Sequence, residues 1–323
     1  MKTPLRYALI ASVMVAGSAS AQTYPTKPVT MVIPFAAGGP TDVVGRLLAQ
    51  SMSKTLGQQV IVENTVGAGG TIAAARVARA APDGYTILLH HIGQSTAPSL
   101  YRKLPYDAIN GFDTLGLVTD VPMTVVAKGN FEAKDFADMV RTIKANPDKI
   151  NLANAGTGSA SHLCGMLLQD AIGVKVTAVP YKGTAPAMND LLGGQVDVMC
   201  DQTTNTTSYI KSGKIKAYAV TTPKRLAVLP DLPTTREAGL PAFEVAVWHG
   251  LYAPKGVPSE VVTKVNNALK VALKDPLVVD RFAGLGTEPV AENRTSPEVH
   301  KQHLAAEITK WKNVIEKAGV QPE

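Results

Sequence analysis

The stretch Val29-Thr30-Met31-Val32-Ile33-Pro34-Phe35-Ala36-Ala37-Gly38-Gly39-Pro40-Thr41-Asp42 decides the reading of this chain. It opens as an apolar run of the kind buried on both faces of a parallel sheet. It turns at Gly38-Gly39, and Thr41, which can cap a helix, with Asp42 marks the helix start. A strand that feeds a helix through a glycine turn leaves backbone N–H groups at the mouth of a sheet, where they hold anions. Gly38 and Gly39 let a ligand approach the backbone with no Cβ in the way. Thr41 offers a hydroxyl. Asp42 is either a carboxylate favoured by the helix dipole or one that orders a bridging water. No base, nucleophile or metal ligand set accompanies these residues, so the stretch reads as capture and not as chemistry.

Outward from it, strand and helix signals alternate along the chain. Strands are predicted over 29–34, 60–63, 86–90, 123–127, 150–154, 176–180, 196–200, 215–220 and 245–253. Helices are predicted over 42–56, 71–81, 135–145, from 159, and over 185–192, 206–212, 259–273 and 296–317. Short apolar runs separated by helical patterns imply an α/β protein with parallel sheets and crossover helices. The 323 residues exceed one comfortable core, so two domains are expected. The boundaries read 22–123 plus 246–323 for the first and 124–245 for the second, with 123–127 crossing between them.

A second strand, glycine turn and helix start follows at Leu152, in Ala155-Gly156-Thr157-Gly158-Ser159-Ala160-Ser161-His162. If the two domains face each other, both turns open into one cleft. Gly67-Ala68-Gly69-Gly70-Thr71 suggests a dinucleotide fingerprint, but Ile72 stands where the third glycine belongs. It reads instead as further helix-start N–H groups. Tyr181-Lys182-Gly183 and Asp201-Gln202-Thr203-Thr204 lie at two more strand ends, where open α/β sheets bind ligands.

The catalytic alternatives are weak. Ser159 and Ser161 stand near His162, but near neighbours on one helix turn do not aim at each other, and no orienting acid is identifiable. Gly93-Gln94-Ser95-Thr96-Ala97 approaches a nucleophile elbow but ends in Ala97. His90 and His91 close a strand, where neighbours point to opposite faces and cannot chelate one metal. His300 and His303 share a helix face that reads as solvated, not as a zinc site. No catalytic residue, metal or cofactor is expected. Cys164 and Cys200 are read as two buried free thiols, although export would permit a disulfide.

Lys2 and Arg6, an apolar run from Tyr7 to Gly17, and Ala19-Ser20-Ala21 have the layout of a secretory signal peptide over 1–21, cleaved after Ala21. A periplasmic protein is therefore expected. Its 32 Lys and Arg against 26 Asp and Glu are a modest, scattered surplus. With no basic stripe interleaved with aromatics, nucleic-acid binding is disfavoured.

The chain resembles the substrate-binding proteins of tripartite tricarboxylate transporters, the Bug family, over essentially its whole mature length. The carriers are Tyr24-Pro25-Thr26-Lys27-Pro28-Val29, Pro34 to Asp42, Val62-Glu63-Asn64 with Gly67 to Gly70, and Ala81-Pro82-Asp83-Gly84-Tyr85-Thr86. They continue in Pro180-Tyr181-Lys182-Gly183, Leu191-Leu192-Gly193-Gly194-Gln195-Val196-Asp197 and Pro230-Asp231-Leu232-Pro233-Thr234. The resemblance implies a type II periplasmic binding protein, with two Rossmann-like α/β domains joined by crossover strands around a ligand cleft. It implies capture of an organic carboxylate by a monomer that delivers it to a large and a small membrane permease subunit. The ligand-binding set is then Phe35, Ala37, Gly38, Gly39, Thr41 and Asp42 with Gly69 and Gly70, closed by Thr157, Gly158, Ser159 and Ser161, with His162, Tyr181 and Asp201 nearby. Many members carry small polar residues after the third strand, whereas this chain has His90-His91-Ile92-Gly93-Gln94-Ser95. His91, Gln94 and Ser95 therefore join the set, and a bulky imidazole there hints at an aromatic or extended dicarboxylate such as terephthalate. A ligand sensor feeding a membrane regulator would share fold and site, and an exported serine hydrolase is the remaining alternative.

Overall fold

The computed structural model describes residues 24–322. The predicted signal peptide and its cleavage after Ala21 lie outside the described residues. The opening stretch forms β1 (Val29–Ile33), a turn, and α1 (Pro40–Leu56). Proline in its first turn and Asp42 start α1, and Gly57 in the left-handed region ends it by returning its N–H to the Ser53 carbonyl. Val44, Leu48 and Met52 recur four apart and are fully buried on the sheet side. β2 (Val60–Asn64) and β3 (Thr86–His91) flank β1 in parallel, and α2 (Thr71–Ala78) crosses between them.

α3 (Gly93–Leu100) follows β3 directly. The sequence gives no helix there, because Gly93 and Pro98 are both poor interior helix residues. Next comes β4 (Phe112–Lys128), far longer than the predicted 123–127. Its first half carries Gly116 and Pro122 and two register shifts against its partner, so its sequence lacks the plain alternation of a strand. The second unit runs through α4 (Phe136–Ala145), β5 (Asn151–Asn154), α5 (Ala160–Ile172), β6 (Thr177–Pro180) and α6 (Thr184–Leu192). It ends with β7 (Val198–Gln202), α7 (Thr203–Lys211) and β8 (Ile215–Val220). The chain returns through β9 (Ala246–Pro254) to α8 (Ser259–Ala272), α9 (Pro276–Gly284) and α10 (Pro297–Lys317). The sequence reading also missed α9, a short helix capped by Asp275 with proline in its first turn.

The strands described form one mixed sheet in the order β2-β1-β3-β9-β4-β7-β5-β6, with β8 also on β4. β4 is the strand shared by both halves. Phe112 to Pro122 pair antiparallel with β9, and Met123 to Lys128 pair antiparallel with β7 and β8. The parallel strands β1 and β3 on one side, and β5, β6 and β7 on the other, send their carboxyl ends and the helices after them toward a common seam.

Two expectations are corrected by packing. Cys164 and Cys200 are bonded to each other, their Cα atoms 5.8 Å apart, because α5 lies on β7 and brings the two side chains together. A bridge across a sequence separation of 36 restrains the unfolded chain by about 4 kcal/mol in the loop-entropy account. His300 is fully buried, not on a solvated face. It packs on Gly250, where any Cβ would overlap its ring, and lies edge-on to Tyr252 and Trp248. His303 is half-buried against Trp248.

Candidate functional site

The seam holds two neighbouring cavities. The inner one encloses about 10 Å³ and is lined by Phe35, Pro40, Thr41, His91, Ala155, Ser159, Ala160, Ser161, Thr184 and Gln202. These residues have a common origin. Pro40 and Thr41 begin α1, Ala160 and Ser161 begin α5, Thr184 begins α6, and Gln202 caps α7. Four helix N-termini therefore meet at one small space, each presenting first-turn N–H groups and the positive end of its dipole. That convergence follows from topology, since each helix springs from the carboxyl end of a parallel strand or its neighbour.

The polar groups around this space are neutral. His91 stacks on Phe35 with ring centroids 4.6 Å apart, and its Nδ1 accepts the Gly93 N–H at 2.9 Å. Burial, with help from the neighbouring imidazoles, holds its pKa well below the ordinary value, so the ring is uncharged with its proton on Nε2. His249 comes from β9, where it pairs with His91 in register. Its Nδ1 faces the Val247 carbonyl at 3.1 Å, which puts the proton there and makes Nε2 the acceptor for the Thr41 hydroxyl at 3.3 Å. Burial brings it down to about 4. Ser161 Oγ accepts the Ala155 N–H at 2.8 Å, and Ser159 Oγ accepts the His162 N–H at 3.2 Å. Gln202 is buried, and its Oε1 has no hydrogen-bond partner among the described residues.

The outer cavity, of about 180 Å³, lies at the mouth of the seam. Its walls are Phe35, the turn from Gly67 to Gly70 with Tyr101 on one side, and Ala155, Gly156, Thr157, Tyr181 and Lys182 on the other. Phe35 and Ala155 border both cavities. Tyr101 reaches across the seam to donate to the Thr157 carbonyl at 2.8 Å.

Of the residues singled out in the sequence, Phe35, Thr41, His91, Ser159 and Ser161 line the inner cavity, and Phe35, Gly69, Gly70, Thr157 and Tyr181 the outer one. Gly39 is the buried residue just before α1, whereas Ala37 and Gly38 sit on the exposed rim of the turn. The Gly38 N–H is directed to Asp42 Oδ2 at 2.9 Å. Asp42 also accepts from Arg46 Nε at 2.8 Å and Asn64 Nδ2 at 2.9 Å, so it is the helix-start carboxylate that ties the turn from behind. Burial pushes its pKa up, but these hydrogen bonds and the Arg46 charge outweigh burial and leave it below the usual carboxylate value. Gly158 is buried beneath the seam and takes a contact from Thr96 Oγ1 at 3.4 Å. Asp201 is fully buried behind Thr184, and burial raises its pKa to about 7 against hydrogen bonds from Asn205, the backbone and Thr184.

Three of the named residues face elsewhere. His162 borders a separate pocket with Gln169 and Lys175. Gln94 and Ser95 are buried within α3, with Gln94 Nε2 directed to the Ala108 carbonyl at 3.4 Å and Ser95 Oγ to the Ile92 carbonyl at 2.6 Å. Of the two histidines, His91 faces the seam, and His90 packs against Gly70. Their rings lie 5.1 Å apart and both beside Phe35, because the strand ends here and its alternation with it. Sequence reasoning did not find Tyr101, Thr184 or His249. Thr184 carried a signal, being the helix residue right after Tyr181-Lys182-Gly183. His249 carried none, since only the pairing of distant strands brings it to Thr41.

The buried imidazoles set a pH dependence. His90, His249 and His300 fall to about 3, 4 and 3, each mainly through burial, and His91 falls as well. Folded values below the unfolded value of about 6.5 mean stability that is intact above that pH and lost as pH falls through it. Each ring adds to that loss as the unfolded chain takes up a proton that the folded chain does not. Asp201 has the opposite sign: its raised value adds stability on acidification below about 7. One carboxyl does not offset four imidazoles. Urea midpoints are expected to drop steadily between pH 6.5 and 5, and a flat or rising midpoint would contradict the burial of these rings.

Residues 44–320 match the family described as Tripartite tricarboxylate transporter family receptor. A solved periplasmic binding protein, BugD, is 55% identical with a TM-score of 0.91, over 93% of this chain and 100% of that one. MatC from Rhodopseudomonas palustris, solved with bound malate, is 43% identical with a TM-score of 0.87, over 90% and 100%. Rpa4515 of R. palustris, solved with adipate, is 34% identical with a TM-score of 0.88, over 93% and 100%. The α/β seam, its glycine turns and this match over most of the chain lead to one conclusion: the chain belongs to the tripartite tricarboxylate transporter receptor family, whose members include the Bug solute-binding proteins.

Proposed function

We propose that the chain is a periplasmic solute-binding protein that captures an organic dicarboxylate in the seam and delivers it to the permease subunits of a tripartite tricarboxylate transporter. The observation that carries this reading is the meeting of four helix N-termini around a cavity lined, among the described residues, by no charged side chain. Such a site favours an anion over a neutral solute and holds it by backbone dipoles. The malate on MatC and the adipate on Rpa4515 supply the class. Phe35 stacked on His91 supplies an aromatic wall, and we take a terephthalate-like dicarboxylate as the specific ligand.

Capture requires the seam to open, since the inner cavity has room for about one water. The lobes 22–123 plus 246–323 and 124–245 would part about β4 and β9, where the pairing of β4 changes partners between Pro122 and Met123. Calorimetric titration with malate, adipate and terephthalate, beside citrate and an amino acid, tests the reading. A dicarboxylate at 100 times its dissociation constant should add about 2.7 kcal/mol of stability. Heat with citrate or the amino acid and none with the aromatic diacid would remove terephthalate. Silence from every carboxylate would remove the function.

A further inference from the structure

We infer that the outer cavity is the subsite for the ligand's second carboxylate, with Lys182 as the cation that recognises it; this rests on the carboxylate-capture reading above. The inner and outer cavities share Phe35 and Ala155 as lining residues, so one elongated molecule admitted when the seam parts can reach both as it closes. Their chemistry differs. Among the described residues, the inner cavity has no charged lining residue, whereas the outer cavity has a single one, Lys182.

Lys182 has neither an ion pair nor a hydrogen bond among the described residues. The neighbouring Tyr181 hydroxyl is engaged elsewhere, donating to Asp190 Oδ2 at 2.6 Å. The hydroxyl of Tyr101 is likewise directed to the Thr157 carbonyl. The ammonium on its flexible stem is therefore a charged group free to meet an anion at this mouth. A ligand with two carboxylates would put one on the helix starts, where no counter-charge is present, and the other on an exposed cation that can follow ligands of different length. A monocarboxylate would use only the inner end.

Lys182 is exposed, so its replacement should spare the fold. The test is titration of the wild-type chain, Lys182→Gln and Lys182→Arg with three matched pairs: terephthalate and benzoate, adipate and hexanoate, malate and 3-hydroxypropionate. The expected result is that Lys182→Gln weakens whichever diacid the wild type binds by about tenfold. Lys182→Arg should restore it, and the matching monoacid should change less than twofold. Undiminished diacid affinity in Lys182→Gln, or equal loss for both members of a pair, would overturn the subsite and leave the receptor reading standing. Absence of wild-type binding to all six compounds would overturn both.

Discussion

Replacing Gly69 by alanine is expected to leave the protein folded and to weaken carboxylate binding at least 100-fold. Gly69 has φ 59° and ψ 15°, the left-handed region, where a side chain costs about 1–2 kcal/mol. That is a modest loss of stability. The larger effect lies across the seam. A Cβ at this position would overlap the carbonyl oxygen of Thr157, which belongs to the opposite turn, and crowd the Tyr101 hydroxyl at 3.0 Å. The obstacle on the Thr157 side is backbone, which cannot swing away as a flexible side chain can. The lobes of Gly69→Ala would therefore be held apart, and only the closed arrangement brings the four helix starts together. A 100-fold loss corresponds to about 2.7 kcal/mol of excluded closure. Titration gives the affinity, and solution scattering with and without ligand reports whether compaction is lost with it. Affinity within threefold of wild type would show that this contact does not limit closure.

Asp42→Ala is expected to lower stability by roughly 3 kcal/mol and to abolish binding. The carboxylate joins three pieces of chain: the turn through Gly38, α1 through Arg46, and the end of β2 through Asn64, whose amide also holds the Phe35 carbonyl at 2.9 Å. Arg46 is about half exposed, so water replaces much of what that pair contributes. The Gly38 and Asn64 bonds carry most of the effect, because the residue itself is 2% exposed. Asp42→Asn conserves volume but keeps only one acceptor oxygen, so it can retain either the Gly38 and Arg46 bonds or the Asn64 bond, and is expected to recover only part of the loss. Urea midpoints for both variants are the measurement. Values within 0.5 kcal/mol of wild type would mean that the turn keeps its shape without the carboxylate.

Much of the fold was legible because its signals are local. The apolar run before Gly38-Gly39, the capping residues of the helices and the repeated strand, glycine and helix start each depend on a few neighbouring residues. β4 was legible only in its second half. Its first half is a strand because β9 supplies a partner more than a hundred residues away, not because its residues alternate. α3 was hidden by glycine and proline, which packing overrules. Of the site, residues on the two turns could be named from the sequence. Gln94 and Ser95 could not be sorted from them, since a polar residue after a strand looks the same whether it faces a cavity or its own helix.

By itself the sequence determined the α/β class, the two glycine turns and the family, because these rest on propensity, periodicity and the order of motifs. Only the tertiary structure decided which groups face one another. It joined Cys164 to Cys200, buried His300 beneath Gly250, and turned His91 rather than His90 toward the seam. It brought His249 to Thr41, Tyr101 to Thr157, and left Lys182 at the mouth without a partner among the described residues. The physical reason is common to all of these. Each is a meeting of segments far apart in the chain, fixed by strand order and close packing, and no short window of sequence contains both partners.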